Sequence, residues 1–325
     1  MHLVPDPTSD GSGRPVLLAL RALNLGDLLV AVPALRALRR HWPEHELLLA
    51  TNPAHAPVVD LVGAVDRLVP HRGLHPPAVL HPDVAVDLHG VLPDSVRALQ
   101  AVGPRRLVAF ATEGHPDGPQ ADPGEHEVRR WCRLVAWAGA QPDPDDLLLA
   151  TPEVPTTHPA ATVVHPGAAW GSKRWPAERF ATVARELTAA GHDVVVTGSP
   201  AERELTEQVR VAAGLPWEAD LGGRTSVESL LALVAGARLV VTGDTGVAHL
   251  ATAFARPSVV LFGPASPRLW GPPPRPYHRA LWHGDGEREV LVDEPDPALL
   301  AIDVAEVLAA VDDVLAADAL SYESS

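Results

Sequence analysis

Apolar residues fall along this chain in runs of four or five, alternating with longer stretches of helical period. Residues 16–20, VLLAL, contain no polar position and predict a strand covered on both faces; the turn-like NLGD and an amphipathic helix over 28–41 follow. Further strands are predicted over 47–50, 84–88 and 107–110, with helices over 95–102 and 127–138. Between 139 and 159 the text turns to Pro and Asp, QPDPDD and then TPEVPTTHP, and reads as a linker. The pattern then restarts with a strand over 162–165, a helix over 177–190, a strand over 193–197 and a helix over 201–213. Helix, strand, helix and strand follow over 227–235, 239–242, 247–254 and 258–262. A last helix begins near Asp303, where DVAE sets a Glu three residues after an acidic cap, and its stripe of Val307, Val311 and Val314 should pack on a domain.

Strands alternating with helices imply parallel sheets with both faces covered. The predicted class is α/β, with two Rossmann-like doubly wound domains over 16–150 and 151–300, a disordered leader over 1–15, and a C-terminal helix and tail over 301–325. A chain of 325 residues is longer than one core usually serves, which fits two domains.

Charge changes the picture more than size does. With 41 acidic and 26 basic side chains the net charge is −15, which opposes general association with nucleic acid or anionic membrane, so an anionic ligand needs a local site. The basic residues are 25 arginines and one lysine, Lys173, which hints at a position where a guanidinium does not fit; chance survival is the alternative. No apolar run approaches the roughly 20 residues of a membrane span. The single Cys132 excludes an intramolecular disulfide and reads as a partly buried thiol.

Ligands of open parallel sheets bind beyond the carboxyl ends of the strands, so the loops there carry the candidate chemistry. In NLGD, Gly26 permits a close backbone approach, and Asp27 reads either as a helix cap or as a general base. HPGAAWGSKRWP, 165–176, fails as a P-loop because Gly167 and Gly171 are wrongly spaced and Arg174 follows the lysine. What remains is a Gly-containing loop with a cation, suited to a diphosphate; the alternative is a solvated Lys-Arg pair with Trp175 packed beneath it. In TGDTGVAH, 242–249, Thr245 and Gly246 stand where the free amides of a first helical turn make an anion site, and His249 shares that face one turn on. Asp244 is cast as a cap that fixes the loop or as a partner for sugar hydroxyls, and His249 alone reads equally as a satisfied helix histidine.

Taken together, NLGD, HPGAAWGSKRWP, TGSPAERE and LVVTGDTGVAHLATAFARPSVVLFGPASP resemble glycosyltransferase family 9, the ADP-heptose:lipopolysaccharide heptosyltransferases, most strongly over 165–267. The resemblance implies a GT-B fold, with an acceptor domain first, a nucleotide-sugar domain second and a cleft between them. It also implies transfer with inversion, without metal or other cofactor, from ADP-heptose to a glycan or glycolipid, by a cytoplasmic protein in peripheral contact with the inner membrane and not with nucleic acid. By the same resemblance Asp27 is the base, Lys173 contacts donor phosphate, Glu202 the ribose, and Asp244, Thr245, Gly246 and His249 line the diphosphate and sugar. Gly26, Gly167 and Ala168 are supporting positions. Ala168 and Ala169 replace hydroxyl residues of some relatives, so backbone amides would have to serve there. On the acceptor side His71, Arg72, Arg105, Arg106, Arg129, Arg130 and Arg133 are candidates, without a basic cluster.

Three other readings stay open or fall. A different nucleotide-sugar donor would be read by a base pocket to which LGGRTS, 221–226, contributes, and a catalytically silent nucleotide-binding scaffold would keep the fold alone. An NAD-dependent oxidoreductase lacks its glycine fingerprint, and the histidines lack the spacing of zinc ligands.

Overall fold

The computed structural model describes residues 13–286 and 291–323, so most of the expected leader lies outside the described residues. The chain divides into two compact units, Met1–Leu147 and Leu148–Ser325.

The first unit runs β1 (Val16–Leu20), α1 (Leu25–Val30), α2 (Val32–His41), β2 (Glu46–Thr51), α3 (Ala56–Val62), β3 (Arg67–Pro70), β4 (Val84–Asp87), α4 (Pro93–Gln100), β5 (Arg106–Val108) and α5 (Glu127–Trp137). Its five strands are all parallel in the order β3-β2-β1-β4-β5. The all-apolar β1 lies at the centre with every residue buried, as an apolar run without alternation requires. The helix expected over 28–41 is two helices that start earlier. Pro33 has no N–H to give the carbonyl of Leu29, so the helix breaks at Ala31. Edge strand β3 escapes the sequence pattern because only one of its four residues is buried.

The second unit runs β6 (Thr162–His165), α6 (Ala177–Ala189), β7 (Val194–Val196), α7 (Arg203–Ala213), α8 (Val227–Ala235), β8 (Leu239–Gly243), α9 (Gly246–Ala253), β9 (Ser258–Leu261), α10 (Pro267–Trp270), β10 (His278–Leu281), α11 (Pro297–Ala301) and α12 (Val304–Glu323). This sheet is also parallel, in the order β10-β9-β8-β6-β7. Its unpredicted edge strand β10, HRAL, is half polar and has one buried residue.

The last helix belongs to this unit's core. Asp303 caps it by accepting the Glu306 N–H at 2.8 Å. Val307, Val311 and Val314 are buried against the same cluster as Val241 and Val259 of the sheet, each worth about 1.5–3 kcal/mol of burial. Trp175 Nε1 donates to the Ile302 carbonyl at 3.0 Å just ahead of the helix. No helix of the described residues is long and apolar enough to cross a membrane.

Candidate functional site

In both units the main candidate residues lie beyond the carboxyl ends of the strands, where chain reversal leaves backbone groups and side chains uncovered.

In the first unit β1 ends directly in Arg21, which is 1% exposed. Its Nε donates to the Asp27 carbonyl at 2.8 Å, and its Nη2 lies 3.5 Å from Asp27 Oδ1. Nη1 donates to the Leu88 carbonyl after β4, and the guanidinium stacks 4.5 Å from the centre of the Trp131 ring on α5. Asp27 is in the first turn of α1 and not in a loop before it, and Gly26 is buried beside it. It is not the cap residue: its Oδ2 accepts the Asn24 N–H at 3.2 Å, a carboxylate reaching back from the third helical position. This pairing explains why the helix starts earlier than hydrophobic period alone suggested.

Two further carboxylates feel Arg21. Asp87 at the end of β4 is fully buried and accepts from Ser95 Oγ at 2.6 Å and from the His89 N–H at 2.9 Å; burial nonetheless pushes its carboxyl up to about 6. Glu127 on α5 accepts from Trp131 Nε1 at 3.0 Å and pairs with Arg130, and burial raises it too. Burial in turn lowers Arg21, against the pull of Asp27, Glu127 and Asp87. A charged residue directly after an all-apolar run was the sequence signal for Arg21. Asp87 and Glu127 gave none, because each looks like an ordinary polar residue at the edge of its element.

The arginines considered for acceptor contacts are mostly engaged within the unit. Arg105 pairs with Asp83, Arg130 with Glu127 and Arg133 with Glu125, while Arg106 donates to the Ala138 carbonyl. Arg72 is exposed and reaches Asn52 Oδ1 at 3.4 Å. Arg129 is exposed on α5. His71 is buried after β3.

In the second unit the loops after β6 and β8 meet. Lys173 Nζ lies 2.9 Å from Asp244 Oδ2, with side chains 16% and 6% exposed. Lys173 is therefore held in a largely desolvated ion pair, and its neighbour Arg174 turns away to donate to the Ala168 carbonyl at 2.8 Å. Trp175 is buried beneath, edge-on to Phe180. A side chain on Gly243 would come within 3.1 Å of the Lys173 carbonyl, so glycine at the end of β8 lets the lysine loop sit there. The same loop is stitched from below: Ser172 N–H donates to the Val292 carbonyl at 2.9 Å.

Thr245 caps α9, its Oγ1 accepting the Val247 N–H at 3.3 Å and lying 3.1 Å from Thr242 Oγ1. Gly246 opens the helix, and half-buried His249 follows one turn later, edge-on to Trp270 at 6.3 Å. Asp244 thus anchors the lysine at the entrance to an eight-residue helix whose first amides point along its axis.

Glu202 lies after β7 and accepts the Ser199 N–H at 2.8 Å. It faces Gly167: a Cβ there would fall 2.3 Å from the carboxylate carbon, so the loop after β6 and Glu202 are in direct apposition. Burial lowers the neighbouring His165, whose Nδ1 is 3.0 Å from Thr197 Oγ1. Beside this, Arg203, Trp217, Asp220, Gly222 and Arg224 line a cavity of about 290 Å³ that includes part of the 221–226 segment. Among the described residues no group of three or more His, Cys, Asp or Glu is placed to hold a metal.

Known proteins share this arrangement of sequence and fold. Lipopolysaccharide heptosyltransferase 2 of Salmonella typhimurium is 37% identical over 111 residues, 33% of this chain and 32% of the relative, so the match spans about a third of the length of such curated relatives. The structure of E. coli ADP-heptose lps heptosyltransferase II superposes with a TM-score of 0.75 at 20% identity, covering 94% of this chain and 99% of that one. The glycosyl transferase family 9 structure from Veillonella parvula gives 0.78 at 19% identity, covering 93% and 97%. Both parallel-sheet units thus fit the GT-B architecture of heptosyltransferases. The sequence profile of glycosyltransferase family 9 (heptosyltransferase) matches residues 118–287, a stretch containing the Lys173 loop, Glu202, Asp244 and α9, and with more than half of its length so matched the chain belongs to glycosyltransferase family 9.

Proposed function

We propose that this protein transfers a heptose or related sugar from an ADP-sugar to a hydroxyl of a glycan or glycolipid, with inversion at the anomeric carbon and without a metal. The observation that carries the reading is the Lys173–Asp244 pair at the mouth of α9, a buried cation beside the first-turn amides of a helix N-terminus. Breaking the bond between the sugar and the diphosphate leaves negative charge on the departing nucleotide. Lys173 and those amides supply fixed positive charge for it, the role that a divalent cation fills in other sites. Glu202, close behind Gly167, accepts from ribose hydroxyls.

On the first unit Asp27 takes the proton of the attacking hydroxyl as its oxygen bonds to the anomeric carbon and the nucleotide leaves with the electron pair. Arg21 orients that carboxylate through contacts with its backbone and side chain. The ADP-heptose named for the E. coli structure supports ADP as the nucleotide.

Calorimetric titration with ADP, GDP, UDP and CDP, with and without EDTA, tests the donor. Selective ADP binding that survives chelation is the expected result, followed by turnover of ADP-heptose giving a product of inverted anomeric configuration. Preference for another nucleotide would change the donor and keep the fold, and binding of none would leave a silent scaffold.

A further inference from the structure

Each of the three strands flanking or neighbouring β1 in the first sheet is followed by a histidine: His71 after β3, His55 after β2 and His89 after β4. Asp27 follows β1 itself, so the imidazoles stand in one row along the carboxyl edge with the proposed base in its middle. They are close enough to interact electrostatically. Asp27 opposes the lowering of both His55 and His89 by burial, and His71 adds to that of His89, which falls to about 4.

Two of these rings carry buried atoms without a hydrogen-bond partner among the described residues, His55 Nδ1 and His71 Nε2, on side chains only 6% and 4% exposed. A buried polar atom left in this state is costly to the fold, and here two of them lie in one row at the strand ends. Their chemistry is specific. The His71 ring donates to the backbone at Gly73 and His75, which leaves Nε2 as a lone-pair acceptor. His89 Nδ1 accepts the Ala22 N–H at 3.2 Å, which leaves its Nε2 as a donor.

A ligand for this row must both give and receive hydrogen bonds, and a sugar hydroxyl does both. A carboxylate, or the dianionic group of a phosphate monoester, has no hydrogen to offer His71 Nε2. The electrostatics agree: Arg21 faces Asp27, Asp87 and Glu127 together, and Arg105, Arg130 and Arg133 are committed to carboxylates.

We propose that His55, His71 and His89 form an acceptor subsite for an uncharged, polyhydroxylated sugar, whose attacking hydroxyl they present to Asp27. This rests on the reading of the first unit as the acceptor side, and it narrows the acceptor to a neutral glycan unit at the point of attachment.

The test uses the full chain labelled with ¹⁵N-histidine. Imidazole resonances are followed during titration with methyl glucoside, methyl galactoside and methyl mannoside, then glucose 6-phosphate, then inorganic phosphate. At least one neutral glycoside should shift His71 and His89 saturably, with glucose 6-phosphate binding no tighter. His71→Phe should weaken that glycoside roughly tenfold, while Arg72→Ala leaves it unchanged. An unaltered amide spectrum in both variants establishes that they fold.

Three results would overturn the proposal: no glycoside moving these resonances, phosphate or glucose 6-phosphate binding tenfold tighter than the neutral sugars, or Arg72→Ala abolishing binding. ADP added to the same sample reports separately on the donor reading through His249. Loss of the ADP response with the glycoside response intact would fault the donor reading alone, and the converse would fault the subsite alone.

Discussion

Lys173 and Asp244 are separated by 71 positions in sequence and meet at 2.9 Å, one from the loop after β6 and the other from the loop after β8. Neighbouring parallel strands deliver the two loops to the same end of the sheet, and the pair closes that end.

Lys173→Ala is expected to weaken ADP binding about tenfold or more, the scale of a charge-assisted hydrogen bond to phosphate. It should also cost about 1–3 kcal/mol of stability by leaving the Asp244 carboxylate desolvated without its cation. Lys173→Arg should restore neither, since the planar fork is wider than the ammonium that Asp244 Oδ2 holds in a nearly buried pair. Calorimetry with ADP and urea denaturation give the two readouts, and full rescue by arginine would refute the steric argument.

Asp27→Ala should lower turnover of ADP-heptose by about 10²–10⁴-fold, the usual contribution of a general base, with ADP affinity changed by no more than a few-fold. Initial rates at saturating donor measure this. Near-normal turnover would remove Asp27 from the role.

Arg21→Ala acts on stability first. It strips the counter-charge from buried Asp87 and Glu127 and the stacked group from Trp131, at about 3–5 kcal/mol. The urea midpoint should fall accordingly. A change below about 0.5 kcal/mol would show that the guanidinium is not structurally coupled to those carboxylates.

His278 on β10 is buried against Ser258 Oγ at 2.7 Å, and burial lowers it to about 4. The unfolded chain takes up this proton near pH 6.5 and the folded chain only near pH 4, so stability is complete above 6.5 and lost as pH falls through that window. Asp87, raised to about 6, works in the opposite direction, since the folded chain holds its proton longer. His278→Gln leaves the Asp87 contribution in place, so the variant should lose less stability than wild type between pH 7 and 4.5 in urea titrations. Parallel pH curves for the two proteins would contradict the assignment.

Gly171→Ala should be more damaging than Gly167→Ala. The added methyl at 171 would fall 1.8 Å from the backbone carbonyl of Asp293, whereas at 167 it meets the end of the Glu202 side chain, which can swing aside. Thermal melts should order the variants this way, with ADP affinity reduced in Gly167→Ala because Glu202 has moved. The reverse order of melting temperatures would count against the close approach at 171.

Most of the strand and helix alternation was legible because buried parallel strands such as VLLAL carry an unbroken apolar signature. The edges were not: RLVP and HRAL are strands by virtue of the neighbours they pair with, and nothing in their own polarity says so. At the site, loops after strands pointed to Asp27, Lys173 and Asp244 one by one. That the lysine and the second aspartate form a pair, or that Arg21 ties Asp27 to α5 through Trp131, depends on which strands are adjacent. The histidine row was illegible for the same reason, since His55, His71 and His89 come together only in the sheet order β3-β2-β1-β4.

The bond from Trp175 to Ile302 joins the lysine loop to the lead-in of the final helix. Arg179 reinforces it with donations to the carbonyls of Leu300 and Ile302, both at 2.6 Å. The C-terminal segment is accordingly the foundation on which the lysine loop is built. A protein fused to a partner at its C-terminus should keep its nucleotide grip, whereas one shortened to end before Leu299 would lose that grip even though every residue proposed to touch the nucleotide is still present.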